Sequence, residues 1–136
     1  MSIGYGGRLI LACQDGELAI YHYACGNINK GLNTYYTDIA RLDGIIAVDK
    51  TCFVEPEIHR KIKKLPSGRK KPIEKRILVP VDYGTYIKDG RITIQNASAC
   101  WRTIDGIDFM ALRLLYELFD EYQEQGALPE RISVFW

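Results

Sequence analysis

Residues 8–25 read RLILACQDGELAIYHYAC, two apolar limbs flanking Gln14, Asp15, Gly16 and Glu17. An Asp-Gly pair supplies the positive backbone φ that tight hairpin turns require, so the spacing predicts an antiparallel hairpin with limbs at 8–13 and 18–25. Along the second limb Leu18, Ile20 and His22 share one face, and Ala19, Tyr21 and Tyr23 share the other. Neither face is strongly polar, which puts this strand inside a sheet rather than at its edge.

Working outward, residues 26–37 turn to Gly, Asn and Tyr and read as a loop leading into a short helix at 36–42. Asp43 and Gly44 then open a β-branched-rich run at 45–54, most simply a strand. Residues 76–83 and 86–88 also read as strand, with Asp89-Gly90 as a turn and 91–95 as its return limb; Pro80 marks an edge position or a bulge. Ile107, Met110, Ala111, Leu114, Leu115, Leu118 and Tyr122 recur at helical spacing and predict an amphipathic helix over 107–125. Asp105 reads as its N-cap, Asp108 suits the positive dipole end, and Gly126 with Pro129 supplies the stop. Residues 131–136 add a last strand through Ile132 and Val134. The expected class is α+β, a mainly antiparallel sheet built from hairpins and covered by one long C-terminal helix. A chain of 136 residues with 47% hydrophobic content has the size of one domain.

Within that domain, residues 55–77 form a basic arm or loop. Residues 59–76, HRKIKKLPSGRKKPIEKR, hold nine of the eighteen Lys and Arg against the single acid Glu74. The remainder carries nine bases against sixteen acids, so a formal net charge of +1 joins a segment near +8 to a body near −7. Two local structures compete for this segment. With Ser67-Gly68 as a two-residue turn, Ile62 meets Ile73, Ile58 meets Ile77, Val54 meets Val81 and Lys61 meets Glu74, which favours a long protruding hairpin. The alternative is a helix over 56–65, begun by Pro56, with Ile58, Ile62 and Leu65 on one face and Pro66 as its stop. In the hairpin, Lys64 faces Lys71 near the tip, a like-charge pairing that a polyanion would relieve.

The leading functional expectation is a non-enzymatic interaction domain that binds a polyanion, nucleic acid or an acidic protein surface, through this segment. The contacting side chains would be Arg60, Lys61, Lys63, Lys64, Arg69, Lys70, Lys71, Lys75 and Arg76, lysines neutralising phosphates and arginines forking onto phosphate oxygens. Val54, Ile58, Ile77 and Val81 would anchor the arm to the sheet. Glu117, Asp120, Glu121 and Glu124 make the late helix acidic, so self-association or docking within the chain is a second use of the same charge. A small protein-binding module of inhibitor or immunity type is the rival class, contacting its partner by the sheet edge, the aromatic loop near Tyr35 and Tyr36, or the acidic helix. An enzyme with an unrecognised Cys, His or carboxylate site is the third.

The remaining motifs favour plain readings. Cys13, Cys25, Cys52 and Cys100 lack a CxxC pair and read as reduced, mostly buried thiols. His22 and Cys25 are spaced H-x-x-C, with Cys13 across the hairpin, but residues three apart on a strand point to opposite faces, so no metal or other cofactor is expected. Cys52 with His59, or carboxylates drawn from Asp38, Asp43, Asp49 and Asp82, are the candidates for catalysis, without a local signature. Gly4-Tyr5-Gly6-Gly7 precedes a strand and reads as a flexible lead rather than a phosphate loop. Tyr21, Tyr23, Tyr35, Tyr36 and Trp101 could form a stacking surface, though core packing explains them more cheaply. No apolar run reaches membrane-spanning length and the start lacks the pattern of a signal peptide, so the expected compartment is the cytoplasm, with no membrane partner.

Overall fold

The structure, a computed structural model, describes residues 4–99 and 103–135. Five antiparallel strands make the main sheet, in the order β6-β3-β2-β1-β9. They are β1 (Tyr5–Gln14), β2 (Leu18–Asn27), β3 (Gly44–Asp49), β6 (Ile92–Gln95) and β9 (Arg131–Phe135). The hairpin read from residues 8–25 is the β1–β2 pair, and β2 lies inside the sheet as its two apolar faces require. Helix α3 (Phe109–Gln125) covers one face, burying Met110, Ala111, Leu114, Leu115, Leu118 and Phe119 against Leu9, Tyr21, Tyr23, Ile46, Val48 and Ile132. Helix α1 (Leu32–Arg41) lies on the other face, where Tyr35 packs over the cross-strand partners Gly6 and Gly26. The architecture is therefore α+β, with the long helix on the sheet as its periodicity predicts.

The glycines near the start are structural. Gly6 and Gly7 are buried in β1, against Tyr35 and Met110 respectively, so this segment is strand and not a flexible lead. Gly44 is the cross-strand partner of Tyr23, whose ring occupies the space a side chain at Gly44 would need. The β1–β2 turn is made differently from the Asp-Gly expectation, since Gly16 is not among the residues with positive φ. Instead the Asp15 carboxylate accepts from the N–H groups of Glu17 (2.7 Å) and Leu18 (2.8 Å), a side-chain turn that leaves the glycine in an ordinary conformation.

Several boundaries move for identifiable reasons. Helix α1 begins at Leu32, earlier than the 36–42 expectation. Strand β3 stops at Asp49, whose carboxylate caps a 3-10 turn at Lys50–Cys52 by accepting from the Thr51 N–H at 2.9 Å. The segment 86–88 is not strand: Asp82 caps α2 (Tyr83–Lys88), and Gly90, at φ 79°, ends it. Residues 92–95 then pair with β3 rather than with the residues before them. Pro80 falls in the irregular segment between β5 (Lys70–Ile77) and α2. The N-cap of α3 is Asp108, not Asp105; Asp105 and Gly106 both have positive φ (53° and 81°) and turn the small hairpin of β7 (Thr103–Ile104) and β8 (Ile107–Asp108).

Strands β3 and β6 are neighbours in the sheet, yet residues 50–91 lie between them in sequence. A hydrogen bond from the Asp49 N–H to the Arg91 carbonyl (2.8 Å) closes this excursion at its base. The excursion holds a separate two-stranded sheet, β4 (Glu57–Lys64) with β5, which is the arm. No helix among the described residues is long and apolar enough to cross a membrane.

Candidate polyanion-binding surface

The basic segment is a β-hairpin and not a helix, and every residue of β4 is exposed. Its register differs by one residue from the expected pairing: Ile62 faces Pro72, Ile58 faces Arg76, Glu57 faces Ile77 and Arg60 faces Glu74. The turn explains the shift. Pro66, Ser67 and Gly68 form a three-residue loop, with Gly68 at φ 82° and Leu65 donating to the Arg69 carbonyl (2.7 Å), so the strands start pairing one position later than a Ser-Gly turn allows.

A one-residue shift exchanges the faces of one strand relative to the other. Ile58, Arg60, Ile62 and Lys64 therefore share a face with Lys70, Pro72, Glu74 and Arg76. His59, Lys61 and Lys63 share the opposite face with Lys71, Ile73, Lys75 and Ile77. Val54 and Val81 lie outside the hairpin and Ile58 remains 46% exposed, so the four expected anchors do not pair along one face; Ile77 is half-buried at the root and Val81 packs against the core.

Polar contacts to α3 hold the arm instead. Arg76 Nη1 donates to the carbonyl oxygens of Gln123 (3.1 Å) and Glu124 (2.9 Å), the last turn of the helix. That turn has no basic residue of its own, so the arm supplies the cation that a helix C-terminus favours. Beside it the Gln123 side chain, 1% exposed, accepts from the Val79 N–H (2.6 Å) and donates to the Val79 carbonyl (2.8 Å), pairing with that residue as a strand would. On the incoming side Tyr122 donates to Glu55 (2.8 Å), and Phe53 packs on Phe119 and Tyr122. Docking within the chain is thus confined to the root, where the arm's cation, Arg76, meets carbonyls of α3. Among the described residues no arm lysine pairs with Glu117, Asp120, Glu121 or Glu124; Glu117 is met by Arg113 at 3.4 Å.

The nine predicted contact residues sort into three groups. Arg76 is committed to α3, and Arg60 lies 3.6 Å from Glu74. Lys61, Lys63, Lys64, Lys70, Lys71 and Lys75, with Arg69 in the turn, are exposed and form no ion pair among the described residues. Lys63 faces Lys71 and Lys64 faces Lys70, so two like-charge pairs stand at the tip. Each such pairing costs up to about 1 kcal/mol.

The catalytic and metal candidates do not converge. Cys52 is buried and burial pushes its thiol pKa up, the opposite of activation, while His59 lies exposed on the arm, 3.2 Å from Glu57. Cys13 is exposed rather than buried, His22 is exposed, and Cys25 is buried and donates to Asp108 (3.4 Å); no metal-binding group is present among the described residues. Asp49 and Asp82 act as local caps and Asp43 accepts from the distant Ser98 N–H (3.2 Å), their pKa values lowered by hydrogen bonds from Thr51, Thr85 and Ser98 respectively, and Asp38 lies 3.8 Å from Arg41. Of the proposed stacking surface, Tyr21, Tyr23 and Tyr35 are buried and Tyr36 is exposed. Trp101 and Cys100 lie outside the described residues.

Sequence reasoning missed the polar network at the start of α3. Asp108, 1% exposed, accepts from the Tyr23 hydroxyl (2.8 Å) and the Met110 N–H (3.0 Å), while Tyr23 accepts from the Ala97 N–H (2.9 Å). Its signal was an Asp directly before Phe109 and the apolar run that follows, masked by the earlier Asp105. Comparison of the chain with family models, with curated proteins and with solved structures gave no match.

Proposed function

We propose that this chain is a non-enzymatic interaction domain whose β-hairpin arm binds the phosphate backbone of a nucleic acid. The observation that carries the reading is the tip itself: two lysine pairs stand directly opposite each other, with no acid among the described residues to compensate them. Such an arrangement disfavours the free arm and gains when a polyanion supplies the missing charge. A two-stranded ribbon also has the cross-section that the major groove of a duplex admits. At roughly 3.3 Å per residue its eight-residue strands extend about 26 Å.

The test is fluorescence anisotropy of labelled duplex DNA and of RNA with the wild type and with Lys63→Glu, Lys64→Glu, Lys70→Glu and Lys71→Glu combined. Binding by the wild type and its loss in the variant support the reading. Wild-type binding that survives the four reversals contradicts it, and retention only of polyglutamate would assign the arm to an acidic protein.

A second reading rests on a different surface. Leu32 and Tyr36, one helical turn apart on α1, are 59% and 64% exposed, and Phe135 at the sheet edge is 62% exposed. Tyr35 joins them, its ring centroid 5.5 Å from that of Tyr36 and 6.3 Å from that of Phe135. An aromatic patch of this kind suits a protein partner recognised by shape. Binding insensitive to salt and abolished by Tyr36→Ala with Phe135→Ala would favour it.

A further inference from the structure

The observed register divides the arm's cations between two faces whose surroundings differ. On one face, Arg60 is partly neutralised by Glu74 (3.6 Å), and Arg76 is turned into the C-terminus of α3. Side chains alternate along each strand, so Lys64, Lys70, Ile58 and Ile62 share the side from which Arg76 reaches the helix. That helix carries Glu117, Asp120, Glu121 and Glu124. A polyanion approaching from this side meets the acidic helix near the root.

The opposite face carries Lys61, Lys63, Lys71 and Lys75. Its one acid, Glu57, is at the root and lies 3.2 Å from His59. Beside Lys61 and Lys75 is a recess of about 200 Å³ lined by these two lysines with His59, Ile73 and Ile77. A recess with a low-dielectric aliphatic floor and cationic rims focuses positive potential.

Resting on the nucleic-acid reading above, we infer that the arm is one-sided. Lys61, Lys63, Lys71 and Lys75 meet the phosphates, and the face bearing Arg60, Lys64 and Lys70 makes no direct phosphate contact, so of the two tip pairs Lys63–Lys71 is neutralised directly and Lys64–Lys70 gains only from the nearby negative charge. The lysines act as point charges without a fixed fork, so binding is sequence-tolerant, and each phosphate contact contributes about one unit to the salt slope.

The experiment removes three charges from either face: Lys61→Gln, Lys71→Gln and Lys75→Gln in one variant, and Arg60→Gln, Lys64→Gln and Lys70→Gln in the other. Both are titrated against a labelled duplex over a salt series. The first variant is expected to flatten the plot of log affinity against log salt by about three, with the second close to wild type. Equal flattening by both, or flattening by the second alone, overturns the assignment. If the wild type binds and neither variant changes the slope, the arm is not the contact at all. If the wild type does not bind at low salt, the nucleic-acid reading fails.

A measurement on the unaltered protein guards against misfolded variants: lysine acetylation read by mass spectrometry, with and without the duplex. Protection of Lys61, Lys63, Lys71 and Lys75 is expected, with Lys64 and Lys70 modified as in the free protein and Lys30, Lys50 and Lys88 as references. Protection of Lys64 and Lys70 to the same degree overturns one-sidedness.

Discussion

Arg76 lies in the second strand of the arm, and its guanidinium donates to the Glu124 carbonyl oxygen at 2.9 Å, so a residue of the most basic segment closes the C-terminus of the most acidic helix. The last turn of α3 contains Glu121 and Glu124 and no base, a charge distribution opposed to the helix dipole. Replacing Arg76 with Ala should lower stability by about 1–2 kcal/mol in chemical denaturation. Lys at this position should recover part of the loss. Hydrogen exchange should accelerate at the arm root around Ile77 and Val79 before the sheet is affected, since the arm has no ladder to the main sheet.

Gln123 fixes the other side of the root. A Gln123→Leu variant keeps the volume but strands the N–H and C=O of Val79, at a cost of about 2–4 kcal/mol. Gln123→Glu keeps the acceptor for the Val79 N–H and sets a carboxylate against the Val79 carbonyl. Its stability deficit should shrink as pH falls and the buried acid protonates, which thermal unfolding at pH 4.5 and pH 7.5 would show.

Gly44→Ala places a methyl in the ring of Tyr23, which is itself held by Asp108 and the Ala97 N–H. Overpacking of this kind costs about 1–3 kcal/mol. Gly16→Ala is the matched control, because open space surrounds Gly16 and its φ is not positive; it should fall within about 0.5 kcal/mol of wild type.

The pH dependence follows from groups at both ends of the scale. Hydrogen bonds from backbone N–H groups hold Asp15 below the usual carboxylate range, and bonds from Ser98, Thr51 and Thr85 do the same for Asp43, Asp49 and Asp82. Their contribution is complete above the unfolded value near pH 4 and is lost as pH falls through the folded values. Burial, and for Tyr23 the nearby Asp108, pushes the phenols of Tyr21 and Tyr23 upward. Stability should therefore also fall above about pH 10, where the unfolded chain releases protons that the fold retains. Denaturation midpoints across pH would trace both limbs. Tyr23→Phe should soften the alkaline limb while lowering stability at neutral pH.

The elements legible in the sequence were those with an unbroken local period: the β1–β2 hairpin, the central place of β2, and α3 with its Gly126 cap. What was not legible depended on the geometry of particular caps and turns and on contacts distant in sequence. Residues 86–88 read as the limb before an Asp89-Gly90 turn, whereas Asp82 caps them into a helix and β6 pairs with β3. In the arm, Ser-Gly suggested a two-residue turn, whereas a three-residue loop with Gly68 at positive φ shifted every pair by one. The cationic residues of the candidate surface were visible in the sequence as a dense basic run. Their division between two faces was not, because it follows from that register, and the use of Arg76 as a helix cap requires α3 to be in place.

The central claim is that the arm exchanges bound counterions for phosphates. Its most direct test is the slope of log affinity against log salt for wild-type protein with a duplex of arbitrary sequence. The account predicts a linear fall with a slope of about −4, one unit for each of Lys61, Lys63, Lys71 and Lys75. A slope near zero, or no binding at the lowest salt by folded protein, would contradict it.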